Sequence, residues 1–234
     1  MNIALDPRLQ GVFAGQERLV VLSPHPDDES LGCGGLLARA FSGAGAHVIC
    51  LTDGSASHPG STLWPPQLLA RQRRAELIEA IDRLGGSDRD LTWLGMPDSQ
   101  LYRADPKVIA GDLERIIDGL GIAQIFAPAI EDGHEDHQAT AAFTQALRAR
   151  RPDWAYYAYP VWSRWDEPDF DRKIAAHDPV HIPLGGLSAR KRAAIEAHQS
   201  QLGQVVRDDP SGFTLPPGFV ETFANGDEIF WRIP

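Results

Sequence analysis

Four short apolar segments that alternate with helical patterns limit the folds open to this chain more than any other feature. Each segment is dominated by apolar residues, as is typical of strands buried on both faces of a parallel sheet. The predicted strands are Leu19–Leu22, His47–Thr52, Leu91–Leu94 and Gln124–Ala127. The predicted helices are Ser30–Ser42, Gln67–Leu84, Pro106–Gly119, about Glu135–Arg150, and Ser188–Gln199. This alternation predicts an α/β fold with a Rossmann-like, doubly wound, mostly parallel sheet.

The C-terminal part of the sequence is less regular. After Pro152 the alternation loosens, and tyrosines and tryptophans cluster near several prolines. We expect the final segment, Phe219–Ile233, to form a hairpin that turns at Asn225-Gly226. No repeat, low-complexity tract or linker divides the chain, so residues 1–234 are predicted to form a single domain.

The acidic composition narrows the partners that the chain can have. The net charge is −10 and the pI is about 5.2, which disfavours nucleic acid and anionic membranes because both are bound through clustered Lys and Arg. No apolar run approaches the roughly 20 residues of a membrane span, and the N-terminus lacks a signal-peptide pattern. Cys33 and Cys50 lie in apolar contexts and are expected to be buried thiols. Together these features predict a cytoplasmic protein without stable membrane insertion.

Two segments of the sequence could carry chemistry, and we call them the chemical segments. The first chemical segment is His25-Pro26-Asp27-Asp28-Glu29, directly after the first predicted strand. In open α/β sheets, ligands bind beyond the carboxyl ends of the strands. Imidazole and carboxylate are both good zinc ligands, and His25 and Asp28 can face one point across the turn into the helix. Asp27 then projects beside them and is free to act as a base.

Two other interpretations of this segment stay open at the level of sequence. Asp27 and Asp28 could instead cap the following helix and favour its dipole. The glycines that follow could form a dinucleotide-binding loop, but the G-x-G-x-x-G pattern from Gly32 needs Gly or Ala at the position of Leu37. A nucleotide-binding oxidoreductase is therefore disfavoured.

The second chemical segment, His134-Glu135-Asp136-His137, lies shortly after the fourth predicted strand. His134 and His137 share a face at a helix start, so one can reach a metal ion while the other reaches a substrate. Asp136 could orient His134. Seen alone, the segment could also be a solvated, acidic helix N-terminus. Seen with the first segment, it predicts two imidazoles and a carboxylate that leave a position open for water, as in catalytic zinc sites.

The two segments together resemble the PIG-L/LmbE-like de-N-acetylases, which include sugar deacetylases of glycosylphosphatidylinositol, mycothiol and bacillithiol synthesis. The family's His-Pro-Asp-Asp-Glu segment is matched by His25–Glu29, and its His-x-Asp-His segment by His134–His137. The resemblance covers about Leu19 to Gly203. Weaker matches are Thr52-Asp53-Gly54, Arg73–Glu76, Gly95–Asp98 and His198–Gln201.

The resemblance implies a role for each matched residue. It implies that zinc, or another divalent ion, is held by His25, Asp28 and His137, and that Asp27 is the general base. It further implies that His134 is an electrophilic or acidic partner oriented by Asp136. In the family, the positions matched by Arg73 and Asp98 hold sugar hydroxyls.

Two departures from the family pattern lie in the second segment. Glu135 stands where the family often has proline, and both residues suit a first helical turn. Asp132 stands where some members carry an aromatic residue, which puts any aromatic contact with the substrate at this point in doubt.

The resulting expectation is hydrolysis of an N-acyl amide, above all an N-acetyl group, on a small amino sugar or glycoconjugate, by metal-activated water with an Asp base. One alternative keeps the chemistry but changes the substrate: a metal-dependent amidase or esterase that acts on a non-sugar acyl compound. Another is a metal-binding module without catalysis, which would have no use for the free carboxylate of Asp27. The oligomeric state is left open.

Overall fold

A central sheet of seven strands organises the part of the chain that the computed structural model describes, which is residues 7–234, with side chains from residue 10. The strands are β1 (Leu19–Ser23), β2 (Ala46–Thr52), β3 (Leu91–Met96), β4 (Gln124–Pro128), β5 (Ala155–Tyr159), β6 (Val180–Ile182) and β7 (Glu228–Arg232). Their spatial order is β3-β2-β1-β4-β5-β7-β6. Strands β1 to β5 are parallel, whereas β7 is antiparallel to β5 and β6. The predicted α/β fold with a mostly parallel sheet is therefore confirmed.

The two strands that precede the chemical segments are neighbours in this sheet. Strand β1 pairs with β2 on one side and with β4 on the other, so the order of the strands reverses between β1 and β4. Ligands of open α/β sheets bind in the crevice at such a reversal, beyond the carboxyl ends of the strands. The segments that follow β1 and β4 are therefore brought to one place.

Helices cover both faces of the sheet. Within residues 7–234 they are α1 (Pro7–Phe13), α2 (Asp28–Phe41), α3 (Pro66–Leu84), α4 (Pro106–Leu120), α5 (Glu135–Arg150), α6 (Trp162–Asp166), α7 (Phe170–Ile174), α8 (Ser188–Ala197) and α9 (Phe219–Asn225). Helices α2, α3 and α8 pack together on one face, and α4 packs on α5 on the other. Leu19 and Val21 of β1 belong to the first core, and Val20 and Leu22 to the second. Because alternate side chains enter different cores, the strand is apolar throughout.

The predicted C-terminal hairpin is wrong. Phe219–Asn225 forms helix α9, in which Phe219 and Phe223 stack with their ring centroids 4.7 Å apart. Their spacing of four residues places both on one helical face, and both are buried. Only Glu228–Arg232 is a strand, and it lies between β5 and β6. The aromatic cluster after Pro152 contains a strand that the sequence pattern did not reveal, β5.

Cys33 and Cys50 are free thiols and both are buried, as predicted. Within residues 7–234, no helix has the length and the apolar character needed to cross a bilayer. The expectation that the N-terminus contains no signal peptide concerns a segment whose first six residues lie outside the described part of the chain.

Candidate active site

Asp27 lies at the turn from β1 into α2 with an unusual backbone conformation. Its φ is 146° and its ψ is −29°, and its side chain makes no capping hydrogen bond to the helix. The side chain of Asp28, the first residue of α2, also turns away from the helix, because its Oδ2 accepts a hydrogen bond from the backbone N–H of His25 at 2.9 Å. The capping interpretation of these two carboxylates is therefore not supported.

The two chemical segments meet at the carboxylate of Asp28. Its Oδ2 lies 3.1 Å from Nδ1 of His25 and 3.2 Å from Nε2 of His137. All three side chains are buried, and Nε2 of His137 has no hydrogen-bond partner among the described residues. Two imidazole nitrogens thus lie around one carboxylate oxygen, and one of the nitrogens is buried without a hydrogen bond. Such a set of donor atoms suits a divalent ion.

A metal ion could also be held by neighbouring combinations of side chains. Ligand atoms of His25, His134 and His137 all lie within 4.8 Å of one another, and so do those of His25, Asp98 and Asp136. His25 belongs to both groups. The structure thus brings together His and Asp side chains that could hold a metal ion, from the segments that follow β1, β3 and β4, although neither of these two groups includes Asp28.

Asp132 orients His137, a role that was not predicted from the sequence. The Oδ2 atom of Asp132 accepts a hydrogen bond from Nδ1 of His137 at 2.9 Å. The same carboxylate accepts hydrogen bonds from the backbone N–H groups of Val161 and Ser163. With the proton on Nδ1, the lone pair of Nε2 is free for a metal ion. The available sequence signal was a carboxylate placed between a strand end and a histidine.

Asp136 orients a different histidine from the one predicted. Its Oδ2 lies 3.2 Å from Nε2 of His25, and its two oxygens accept hydrogen bonds from the backbone N–H groups of Ser99 and Leu101. Only the backbone N–H of Asp136 contacts His134, by donating to its Nδ1 at 3.1 Å. The carboxylate of Asp136 therefore positions His25, while its backbone N–H contacts His134.

The hydrogen bond at Nδ1 determines how His134 can act. Since Nδ1 is the acceptor, the proton of the neutral ring lies on Nε2. Burial lowers the pKa of His134 to about 4, and the neighbouring His25 and His137 act in the same direction. In this environment His134 is a neutral N–H donor at neutral pH, which favours the electrophilic over the acidic role.

Asp27 has the properties of a base that operates near neutral pH. Burial raises the pKa of its carboxyl group to about 7, with Asp28 acting in the same direction and Arg73 opposing them. Nη2 of Arg73 lies 3.1 Å from Oδ2 of Asp27. A buried carboxyl group with a pKa near 7 beside a possible metal site is typical of catalytic bases.

Arg73 is a buried residue of α3. It is only 3 % exposed, and its guanidinium donates to the carbonyls of Gly54 and Pro26 as well as to Asp27. Most of its donors are therefore used within the protein, which favours a role in holding Asp27 over one in binding sugar hydroxyls.

Asp98 is also buried. Its Oδ2 accepts a hydrogen bond from the backbone N–H of Ala56 at 2.8 Å, and its Oδ1 lies 3.4 Å from Nε2 of His25. These contacts tie the loops that follow β2 and β3 to the His/Asp cluster.

The clustered polar side chains line a cavity of about 190 Å³. The cavity is lined by the predicted base, by the predicted substrate-binding positions and by His25 and Asp28 of the predicted metal ligands, together with several apolar residues. Its polar lining includes His25, Asp27, Asp28, Arg73, Asp98 and His134, and its apolar lining includes Leu31, Trp162, Phe213 and Leu215. Such a mixture of apolar walls and a few convergent polar groups is typical of small-molecule sites.

The sequence pattern of the family described as "PIG-L: GlcNAc-PI de-N-acetylase" matches residues 20–147 of the chain. The chain belongs to the PIG-L family. The matched region of this PIG-L protein contains both chemical segments and ends within α5, so it includes every predicted metal-ligand, base and substrate-binding position.

Curated relatives of this PIG-L protein are named as deacetylases. The chain is 33 % identical over 226 residues to the probable N-acetyl-α-D-glucosaminyl L-malate deacetylase 2 of Bacillus subtilis, covering 92 % of this chain and 97 % of the relative. It is 31 % identical over 210 residues to the 1D-myo-inositol 2-acetamido-2-deoxy-α-D-glucopyranoside deacetylase 2 of Saccharopolyspora erythraea, covering 86 % of this chain and 67 % of the relative.

A solved structure shares the fold of the PIG-L protein along most of the chain. The N,N′-diacetylchitobiose deacetylase of Pyrococcus horikoshii superimposes with a TM-score of 0.70 at 21 % identity, covering 97 % of this chain and 87 % of that one. At this identity the similarity is one of fold, and it extends over the C-terminal elements beyond the region that the family pattern matches.

Proposed function

We propose that this protein is a zinc-dependent deacetylase that hydrolyses the N-acetyl group of an N-acetylglucosaminyl conjugate to acetate and a free amine. The observation that carries the proposal is the buried carboxyl group of Asp27, which is paired with Arg73 and lines the cavity beside a His/Asp cluster. The names of the curated relatives support an amino-sugar substrate.

The proposed ligands of the metal ion are His25, Asp28 and His137. Imidazole nitrogens and a carboxylate oxygen are ligands that zinc prefers, and three protein ligands leave a position open for water. A zinc ion bound there would lower the pKa of water toward about 7 and polarise the amide carbonyl. Asp132 and Asp136 support the proposed ligands by accepting hydrogen bonds from the second nitrogen of each imidazole.

Asp27 acts as the general base and then as the acid. Its carboxylate removes a proton from the water that attacks the carbonyl carbon, and it returns that proton to the nitrogen as the C–N bond breaks. The hydrogen bond from Arg73 keeps one carboxylate oxygen in place. A pKa of about 7 suits both halves of this cycle, because the group exchanges a proton readily in either direction near neutral pH.

His134 stabilises the oxyanion that forms during attack. Its Nδ1 is occupied by the N–H of Asp136, so its Nε2–H is the available donor. A preorganised donor in a water-poor cavity stabilises developing negative charge more strongly than water does. The neutral ring performs this role without a change in its protonation state.

The dimensions of the cavity favour an amino sugar with its conjugate outside. A volume of about 190 Å³ is below the roughly 300–1,000 Å³ of pockets that enclose drug-sized ligands. We propose that the acylated ring enters the cavity and that Asp98 accepts a hydrogen bond from one of its hydroxyls. The free thiols of Cys33 and Cys50 support the cytoplasm as the location.

A panel of substrates tests this proposal. The zinc-loaded protein is incubated with N-acetylglucosaminyl malate, N-acetylglucosaminyl inositol, diacetylchitobiose, and N-acylated amines or esters without a sugar, and free amine or acid is measured. We expect amine release from at least one sugar conjugate, and none after metal removal or in Asp27→Asn. Turnover of only the non-sugar compounds would favour the general amidase or esterase, and no turnover with metal bound would favour a binding module.

A further inference from the structure

Asp27 has a backbone conformation that residues with a side chain rarely adopt. Its φ of 146° places it among three non-glycine residues with positive φ in residues 7–234, and it is only 6 % exposed. Such a conformation persists only when surrounding contacts hold it, and conformations of this kind cluster at active sites. The contacts that hold Asp27 therefore bear on catalysis.

The carboxylate of Glu29 makes the contact to the backbone N–H of Asp27. Its Oε2 accepts that hydrogen bond at 3.0 Å, and its Oε1 accepts one from the hydroxyl of Ser30 at 2.6 Å. Glu29 is completely buried and is not among the residues that line the cavity. It therefore does not line the space that a substrate would occupy, and its direct contacts are with the residues that it holds.

His198 holds Glu29 from a distant part of the chain. Its Nε2 lies 3.2 Å from Oε1 of Glu29, although the two residues are 169 positions apart. The segment after α8 that carries His198 is itself tied to α3, because the N–H and hydroxyl of Ser200 donate to Glu76 at 2.9 and 2.6 Å. A chain of buried hydrogen bonds thus runs from Glu76 to the His198 segment, and from His198 through Glu29 to Asp27.

We propose that Glu29, held by His198, is a positioning residue that keeps Asp27 in its strained conformation and so aims the carboxylate of Asp27 at the attacking water. This inference rests on the proposed function, since it takes Asp27 as the base. It assigns a role to the last residue of the first chemical segment and to the first residue of His198–Gln201, neither of which binds metal or substrate in the mechanism above.

Glu228 provides a matched control elsewhere on the same helix. Its carboxylate is also buried, accepts hydrogen bonds from the N–H groups of Gly35 and Leu36 in α2, and pairs with the buried Lys191 at 2.7 Å. Glu228→Gln therefore disturbs a buried carboxylate bound to α2 without touching Asp27. A loss of activity that is specific to Glu29 separates positioning from general weakening of the fold.

The kinetic test compares Glu29→Gln with Glu228→Gln in the metal-loaded protein. Both carboxylate oxygens of Glu29 accept hydrogen bonds. The side-chain amide of Gln has only one acceptor oxygen, so Glu29→Gln loses the hydrogen bonds on one side of the group. We expect kcat to fall about 10²-fold, the usual effect of a small misplacement of a reacting group, with KM and metal content unchanged. In an Asp27→Asn background, Glu29→Gln should cause no further loss, because residues that act through one group are non-additive.

The His198 variants test the other half of the proposal. His198→Leu removes the donor and should lower kcat as Glu29→Gln does, whereas His198→Gln keeps an N–H donor and should recover most of the activity. Three results would each overturn the proposal: wild-type kcat in both Glu29→Gln and His198→Leu, the same kcat loss in Glu228→Gln, or a further loss in the Asp27→Asn background. If Glu29→Gln does not fold, the comparison of kcat between His198→Leu and His198→Gln tests the proposal instead.

A thermal measurement tests the inference without any substrate. Glycine tolerates positive φ better than alanine, so Asp27→Gly should unfold at a higher temperature than Asp27→Ala. If Glu29 holds the strained conformation, this difference should shrink in the Glu29→Gln background; an unchanged difference would contradict the proposal. Because the measurement does not depend on turnover, a failure of the deacetylase assignment and a failure of this inference give different results.

Discussion

Asp132 and His137 form a completely buried pair in which the carboxylate accepts the Nδ1 proton of the imidazole at 2.9 Å. The pair places the remaining lone pair of His137 on Nε2, beside the carboxylate of Asp28. The proposed metal site therefore depends on a residue that is not itself a ligand.

The first prediction concerns this pair. Asp132→Asn should weaken zinc binding about 10–100-fold, because carboxylates that orient ligating imidazoles contribute about this much to metal affinity. Competition with a chelator of known affinity measures the change. Asp153→Asn, in which the replaced side chain is 63 % exposed, serves as the control and should bind zinc like the wild type. Unchanged affinity in Asp132→Asn would remove Asp132 from the site.

The second prediction concerns Asp27 and pH. A base acts only when deprotonated, so kcat/KM should rise with pH through about 7, where burial places the pKa of Asp27, and should be lost as the pH falls below it. Asp27→Asn should keep the metal ion but lose about 10²–10⁴ in turnover. The apparent pKa belongs to the coupled site as a whole. A variant that retains wild-type turnover would exclude Asp27 as the base.

The third prediction distinguishes the two roles of Arg73. Its positive charge lowers the pKa of Asp27, so Arg73→Gln should move the rising limb of the pH profile to higher pH. If Arg73 acted only by binding sugar hydroxyls, KM would rise and the limb would stay in place. Measuring kcat and KM across the pH range decides between these outcomes.

The fourth prediction concerns His134. His134→Ala should lower kcat by about 10²–10³, the usual effect of removing one oxyanion donor, and His134→Gln should lose less because it keeps a neutral N–H. Since burial and the neighbouring imidazoles lower the pKa of His134 to about 4, this residue should not cause a loss of activity at alkaline pH. Loss of an alkaline limb in His134→Ala would show instead that a protonated His134 is required.

The fifth prediction concerns the substrate. Asp98→Ala should reduce kcat/KM on an N-acetylglucosaminyl conjugate by the equivalent of about 1–3 kcal/mol, through an unpaired buried group. The same change should have little effect on a small N-acyl amine without the ring. Because Asp98 also contacts Ala56 and His25, metal content and melting temperature are measured alongside. An equal loss on both substrates would assign Asp98 to the metal site or to the fold.

Several parts of the fold can be predicted from local sequence patterns. The apolar character of Val20 and Val21 reflects burial on both faces of the sheet, and this predicted a parallel strand without knowledge of its neighbours. Phe219–Asn225 is a helix despite the Asn-Gly turn signal, because the four-residue spacing of Phe219 and Phe223 places both rings on one helical face that packs on the core.

The sequence by itself determined the α/β fold and the two chemical segments, because strand-end positions and ligand types are local properties. Only the tertiary structure decided how these residues are paired. Asp136 orients His25, 111 positions away, and Glu29 is held by His198, 169 positions away. Such pairs depend on which strands lie side by side and how helices pack across them. Local sequence patterns do not record that arrangement, because it follows from the packing of the whole chain.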